Sequence, residues 1–265
     1  MCGFIPYTCT NPQQKRHKNA LILLFIQMIQ NVLFEAVIFD MDGVVIDSKE
    51  VVDTFWLRKA AEYGLPLTLE EMDAKVHGRP ARQTVNRLLA DFSEEIREKV
   101  YQECEAYERD IPYPAIPGVV SFLQTLHKNN VPVALVTSST RPKTENVIKR
   151  LGLGEILRTV VTFELIKNGK PDPECYRLGA HQLGITPANC LVFEDAVSGM
   201  QAAIGAGMTG IGINSPKHTP ALLAVGASAV IPNFTGVSLR KAEDYFSLHL
   251  SEALQLKVNR PVVRM

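Results

Sequence analysis

Six short apolar runs dominate the sequence and leave few architectures open. They are Leu33–Phe39, Val131–Val136, Thr159–Val161, Cys190–Phe193, Thr209–Ile213 and a shorter edge candidate, Ala229–Ile231. A strand with one wet face alternates apolar and polar residues. These runs are continuous, as expected of parallel strands covered on both faces. Stretches with helical spacing separate them. Gly118 to Asn129 places Val119, Phe122, Leu123 and Leu126 on one face, and Lys143 to Leu151 and Pro173 to Leu183 behave alike. Gly184 ends the last of these, and Ser198 to Ala206 is rich in Ala and Gly, suiting a helix packed closely on a sheet. Alternating strands and helices predict an α/β fold with a doubly wound, Rossmann-like parallel sheet.

One segment breaks the alternation. From about Ser48 to Ala115 the pattern is helical, with Val51, Val52, Phe55, Trp56 and Ala60 on one face and Val85, Leu88 and Leu89 on another. Tyr113-Pro114-Ala115-Ile116-Pro117-Gly118 reads as a linker back into the sheet. The expected organisation is an N-terminal extension (1–30), an α/β core (31–48 and 116–240), a small inserted helical domain (49–115) and a C-terminal tail (241–265) to which no element is assigned. Both joints of the insert lie near the C-terminal end of the first strand, where open α/β sheets bind ligands, so the insert is placed as a lid. A length of 265 residues fits this plan at roughly 150 residues per domain.

Composition narrows the partners. Lys+Arg and Asp+Glu both number 28, which leaves no basic field for nucleic acid. With 46% hydrophobic and 21% charged residues the chain is ordinary globular material rather than disordered. Cys2, Cys9, Cys104, Cys175 and Cys190 contain no C-x-x-C pair, and reduced thiols in the cytoplasm are the expectation. Lys15, Arg16 and Lys18 followed by the apolar run from Ala20 imitate a signal peptide, but no small-residue cleavage site follows and the run is too short for a bilayer. The preferred reading is a nonessential extension with Met28 as a start. A membrane-associating helix is the alternative.

The chemistry sits where the strands end. The first run closes in Asp40-Met41-Asp42-Gly43-Val44. Two carboxylates two residues apart need a counter-charge, and Mg²⁺ binds one or two carboxylates together with phosphate oxygens. An Asp-rich turn, a D-x-D sugar-nucleotide site and a calcium loop share this pattern. The second long run ends in Thr137-Ser138-Ser139, whose hydroxyls and N–H groups suit phosphate oxygens or a plain helix cap. Gly169-Lys170-Pro171-Asp172-Pro173 holds a lysine in a stiff turn, and Phe193-Glu194-Asp195 adds two carboxylates or an acidic cap.

Each signal is modest; their order is specific. D-M-D-G-V, a Thr/Ser strand end, G-K-P-D-P and V-F-E-D-A-V-S-G-M-Q-A-A resemble the haloacid dehalogenase superfamily, in its β-phosphoglucomutase-like branch with a helical cap, over about Leu33 to Ser215. The resemblance implies that Asp40 is a nucleophile forming an aspartyl-phosphate and that Asp42 is the general acid and then the base. It implies that Thr137, Ser138 and Lys170 bind the phosphoryl group. Asp195, assisted by Glu194, would complete a Mg²⁺ site with the Asp40 carboxylate and the Asp42 backbone carbonyl.

The cap is expected to choose the substrate. The mutase pattern has a histidine in the first cap helix where this chain has Val52, and a Lys-Gly pair where this chain has His77-Gly78, with Ala81 at its arginine position. His77-Gly78-Arg79 instead looks like the cap loop of sugar-phosphate and glycerol-phosphate phosphatases, with His77, Arg79 and Arg82 as candidate contacts to substrate hydroxyls or a distal charged group; the alternative for Arg79 and Arg82 is that they are solvated helix-start residues. The expected activity is a Mg²⁺-dependent phosphatase of a small phosphorylated sugar or polyol. A β-phosphoglucomutase-type isomerase is the alternative, and a noncatalytic binding protein is disfavoured by the complete motif set. The expected partner is a small phosphorylated metabolite, for a cytoplasmic monomer without stable membrane association.

Overall fold

The structure is a computed structural model that describes residues 29–261 except 78, 110, 215, 217 and 253. The extension proposed for residues 1–30, with Cys2, Cys9 and Met28, lies outside these residues up to position 28; Ile29 is already buried in the core. Gly78 of the cap-loop motif and Ser215 also lie outside them.

Six parallel strands form the central sheet: β2 (Ala36–Phe39), β3 (Val133–Val136), β4 (Thr159–Val161), β5 (Cys190–Glu194), β6 (Thr209–Ile213) and β7 (Ala229–Ile231). Their order is β4-β3-β2-β5-β6-β7. The chain therefore builds outward on one side of β2 and then returns to build on the other, which puts the switch in strand order at the β2–β5 pair. Such a switch is where open sheets hold ligands.

Continuous hydrophobicity has the expected cause, since side chains along each strand alternate between two buried faces. Val37, Phe39, Leu135, Leu191 and Phe193 pack on one side with Phe122 and Leu123 of α5 (Val119–Lys128). There Phe39 stacks on Phe193 at 5.2 Å, and Phe234 meets Phe193 edge-on at 5.1 Å. Ala36, Ile38, Ala134, Val136 and Val192 face the other side, against α7 (Glu174–Leu183) and α8 (Val197–Gly205). Alanines at Ala202 and Ala203 bring α8 close to the strands.

Between β2 and β3 the chain forms α1 (Lys49–Tyr63), α2 (Met72–Lys75), α3 (Ala81–Leu88) and α4 (Glu94–Arg109), which share a hydrophobic cluster of their own around Phe55, Trp56, Met72, Val85 and Val100. The two connecting segments are hydrogen-bonded to each other. The Asp47 N–H donates to the Pro114 carbonyl at 2.8 Å, and the Ile116 N–H to the Val45 carbonyl at 3.0 Å.

Two sequence expectations need correction. The run Leu33–Phe39 is not one strand. It breaks at Glu35, whose N–H turns to the Asn189 carbonyl, so that β1 (Leu33–Phe34) leaves the central sheet. The tail also has its own elements: β8 (Ser238–Lys241), β9 (Tyr245–His249) and β10 (Gln255–Asn259) form a second sheet in the order β1-β10-β9-β8. Its alternating Phe246, Leu248, Leu256 and Val258 are buried in the larger core cluster. A helix at α9 (Thr219–Ala224) was also not anticipated, and α6 (Arg141–Leu151) starts two residues before the expected helix. Cys104, Cys175 and Cys190 are buried free thiols. Among the described residues no helix is long and apolar enough to cross a membrane.

Candidate active site

Strand register assembles the floor. Phe39 pairs with Phe193 across β2 and β5, and the Asp40 N–H donates to the Phe193 carbonyl at 3.0 Å. Asp40 and Glu194 therefore leave adjacent strands side by side. Asp40, Glu194 and Asp195 offer carboxylate oxygens that all lie within 4.8 Å of one another.

Lys170 enters this cluster from the loop after β4, next to a cis Lys170–Pro171 bond. Its ammonium donates to Asp40 Oδ1 at 2.5 Å and to Glu194 Oε1 at 2.6 Å, and is only 4% exposed. The Tyr176 hydroxyl of α7 donates to the same Glu194 oxygen at 2.9 Å, and the Ala196 N–H donates to Oε2 at 3.0 Å. Both Glu194 oxygens thus have protein donors, and its first task here is to hold Lys170. Gly199 of α8 makes room for this carboxylate, because a Cβ there would overlap it. Gly43, at φ +78°, turns the chain after β2, and its missing side chain leaves the space that the Asp195 carboxylate fills.

Electrostatics separate the two aspartates of the D-x-D motif. Burial pushes Asp40 up to about 8; the neighbouring Lys170 opposes this, while Glu194 and Asp42 add to it. Burial likewise raises Asp195 well above the carboxylate range, with Glu194 and Asp40 contributing. For Asp42 burial is outweighed. Lys143 donates to its Oδ1 at 2.8 Å and the Ser139 hydroxyl to its Oδ2 at 2.7 Å, and with Ser48 they hold it below the usual value. Lys143 was not singled out in the sequence. It lies on α6, and its other partner is Glu108 of α4, at 2.5 Å.

The acid cluster fits a divalent cation. Three carboxylates offer oxygens within 4.8 Å of one another, two of them share one lysine, and burial together with the neighbouring carboxylates holds Asp40 and Asp195 toward the protonated form. Asp40, Asp195 and the Asp42 carbonyl, with Glu194 behind them, are the groups that would hold Mg²⁺.

Above the floor lies a cavity of about 880 Å³, lined below by Asp40, Asp42, Thr137, Ser138, Lys170 and Asp195 and above by residues of α1 to α4. Thr137 is buried, its Oγ1 accepting the Ser139 N–H at 3.0 Å. The three cap candidates reach the cavity wall with different freedom. His77 Nε2 meets Asp53 at 2.7 Å. Arg82 donates to Glu98 at 2.5 Å and stacks over Tyr101 at 3.6 Å. Arg79 donates to the Ala74 carbonyl at 3.4 Å, and its buried Nε has no hydrogen-bond partner among the described residues. Val52 also lines the wall.

A doubly wound sheet with a helical insert after its first core strand, and with a lysine and a cluster of carboxylates able to hold a cation gathered at its switch point, defines an α/β enzyme class. The chain belongs to the haloacid dehalogenase-like hydrolase family, whose profile matches residues 34–207. It is 35% identical to hexitol phosphatase A of Escherichia coli over 187 residues, covering 70% of this chain and 85% of the relative. It is 33% identical to a phosphorylated carbohydrates phosphatase of Thermotoga maritima, over 74% of this chain and 94% of that protein. Among solved structures, a family IA hydrolase from Entamoeba histolytica superposes with a TM-score of 0.68 at 28% identity, covering 77% of this chain and 96% of that one.

Proposed function

We propose that this enzyme is a Mg²⁺-dependent phosphatase that hydrolyses a small phosphorylated sugar or polyol through an aspartyl-phosphate on Asp40. The observation that carries the reading is the Asp40–Lys170–Glu194 cluster beneath a cleft of about 880 Å³ between sheet and insert, a size that takes a small metabolite. The names of the two similar phosphatases point to the same substrate class.

In the first half-reaction an Asp40 oxygen forms a bond to phosphorus as the ester P–O bond breaks, and the proton of Asp42 passes to the departing alkoxide. In the second, a water oxygen bonds to phosphorus, the Asp40–phosphorus bond breaks, and the water proton returns to Asp42. Lys170 and the Thr137–Ser138 strand end hold the phosphoryl oxygens, and Glu194 with Tyr176 keeps the lysine aimed. Bound Mg²⁺ supplies charge neutralisation at the phosphoryl group. Asp42 stands here as a carboxylate, the form required at the start of the second half; the first half begins once it has taken up the proton that it then donates.

The mutase reading is weaker because the cavity wall presents Val52 where the mutase pattern places a histidine. A cytoplasmic monomer remains part of the proposed reading, and buried free thiols agree with a reducing compartment. The test is phosphate release with Mg²⁺ across sugar, polyol and nucleotide phosphates, including β-glucose 1-phosphate with parallel detection of glucose 6-phosphate. Free phosphate without isomerised product supports the phosphatase. Glucose 6-phosphate with little phosphate release replaces it with the mutase.

A further inference from the structure

Lys143 is a buried lysine, 6% exposed, that the reading above leaves without a task. Its ammonium lies between a carboxylate of the catalytic loop, Asp42 at 2.8 Å, and one of the helical insert, Glu108 at 2.5 Å. The Tyr113 ring, in the returning linker, is 5.0 Å away. The contact is reinforced one turn back on α4, where the Thr140 hydroxyl just before α6 donates to Glu105 at 2.9 Å. Both insert carboxylates therefore dock on the start of α6, and one of them shares its cation with the residue assigned to proton transfer.

We infer that Lys143 is a positioning residue for Asp42 and that Glu108 anchors it, so that the helical insert helps set the orientation of the catalytic acid. Lys143 takes one Asp42 oxygen and Ser139 the other, which fixes the carboxylate about its Cβ–Cγ bond. Without the ammonium, Ser139 and Ser48 remain as neutral partners of a side chain that has to meet both an ester oxygen and a water. The inference rests on Asp42 being the acid, and the test separates the two claims.

The measurement is the ratio of kcat/KM for the alkyl phosphate turned over best in the panel to kcat/KM for 2,4-dinitrophenyl phosphate. The alkyl ester needs a proton on its leaving oxygen, and the dinitrophenolate leaves without one. A purely structural defect lowers both rates and leaves the ratio in place. Positioned general acids contribute about 10²–10⁴-fold, so D42N is expected to lower the ratio by about 100-fold. Against that, K143M is expected to lower it about 10-fold, and K143M in the D42N background is expected to change it no further, as for residues acting as one unit. A ratio unmoved by D42N overturns the assignment of Asp42 itself. A ratio lowered by D42N but unmoved by K143M, or a double variant that multiplies the two effects, overturns the positioning role alone. If K143M loses activity on the aryl ester as well, E108Q decides: the ammonium then keeps Asp42 but loses its anchor. A drop of about 3-fold in the ratio supports the inference, and an unchanged ratio refutes it.

Discussion

Replacing Gly199 by Ala tests the logic of the site without touching any group placed against substrate. In an exposed helix this change favours the folded state by about 1 kcal/mol, because alanine is the better helix former. Here the sign reverses. A Cβ at position 199 overlaps Glu194 Oε1, and even the farther oxygen, Oε2, would stand 2.5 Å away. Carbon and oxygen settle no closer than about 3.3 Å, so the carboxylate has to retreat by about 1 Å or more. It then loses its alignment with Lys170 at 2.6 Å, Tyr176 at 2.9 Å and the Ala196 N–H at 3.0 Å. Breaking a buried ion pair costs about 3–5 kcal/mol, which leaves G199A less stable by about 2–4 kcal/mol. Lys170 shifts with its partner, and an ångström of misplacement in the reacting constellation costs on the order of 100-fold in rate. Urea denaturation and steady-state kinetics on the same preparation give both numbers. A G199A protein as stable as the parent, with unchanged kcat, would refute the claim that Glu194 is held against α8 and steers Lys170.

Three further outcomes are expected. D40N should lose at least about 10³-fold in turnover while melting cooperatively near the parent temperature, and phosphate release by D40N at the parental rate removes the nucleophile assignment. EDTA should silence the enzyme and Mg²⁺ restore it, with a linked pH effect. Asp40 has its folded pKa raised to about 8 from the ordinary 3.8, so the metal-free fold binds the extra proton and loses stability as pH rises between those values, and Mg²⁺ stabilises increasingly across the same window. Thermal melts with and without Mg²⁺ from pH 5 to 8 check this, and a pH-independent gain contradicts it. Truncation after residue 241 should abolish soluble folding. It removes buried Phe246, Leu248, Leu250, Leu254, Leu256 and Val258, each contributing about 1.5–3 kcal/mol, against a total stability of about 5–15 kcal/mol. A cooperative melt from the truncated chain would show the second sheet to be dispensable.

The central sheet was legible because burial on both faces writes itself as unbroken runs such as Val133–Val136 and Cys190–Glu194. Asp40, Lys170, Glu194 and Asp195 could be singled out because each follows or ends such a run, or sits in a stiff turn, and the fold gathers these positions at the β2–β5 switch. The split at Glu35 was overlooked, since a single charged residue between Leu33-Phe34 and Ala36–Phe39 does not by itself say that two different sheets share the run. The second sheet did leave a trace, the strict alternation of Phe246, Leu248 and then Leu256, Val258, but without a partner strand in view the pattern names no core. Lys143 left none: its partner Asp42 is 101 residues away, and nothing around a lysine in a helix records that its ammonium is buried. For the same reason the sequence could offer His77, Arg79 and Arg82 only as equals. Asp53 and Glu98, which occupy two of them, lie 24 and 16 residues distant.

The pairing of Leu33 with Lys257 has a consequence for how the protein is made. Every strand of the central sheet can find its neighbours by the time residue 231 is synthesised, but β1 is produced first and its partner last. At about 5–20 residues per second the ribosome takes roughly ten to forty-five seconds to supply that partner. During this interval Phe34 and the adjoining apolar surface stand without their cover. A chain released early would therefore be left with an unsealed core and would be lost from solution before its acid cluster could be used.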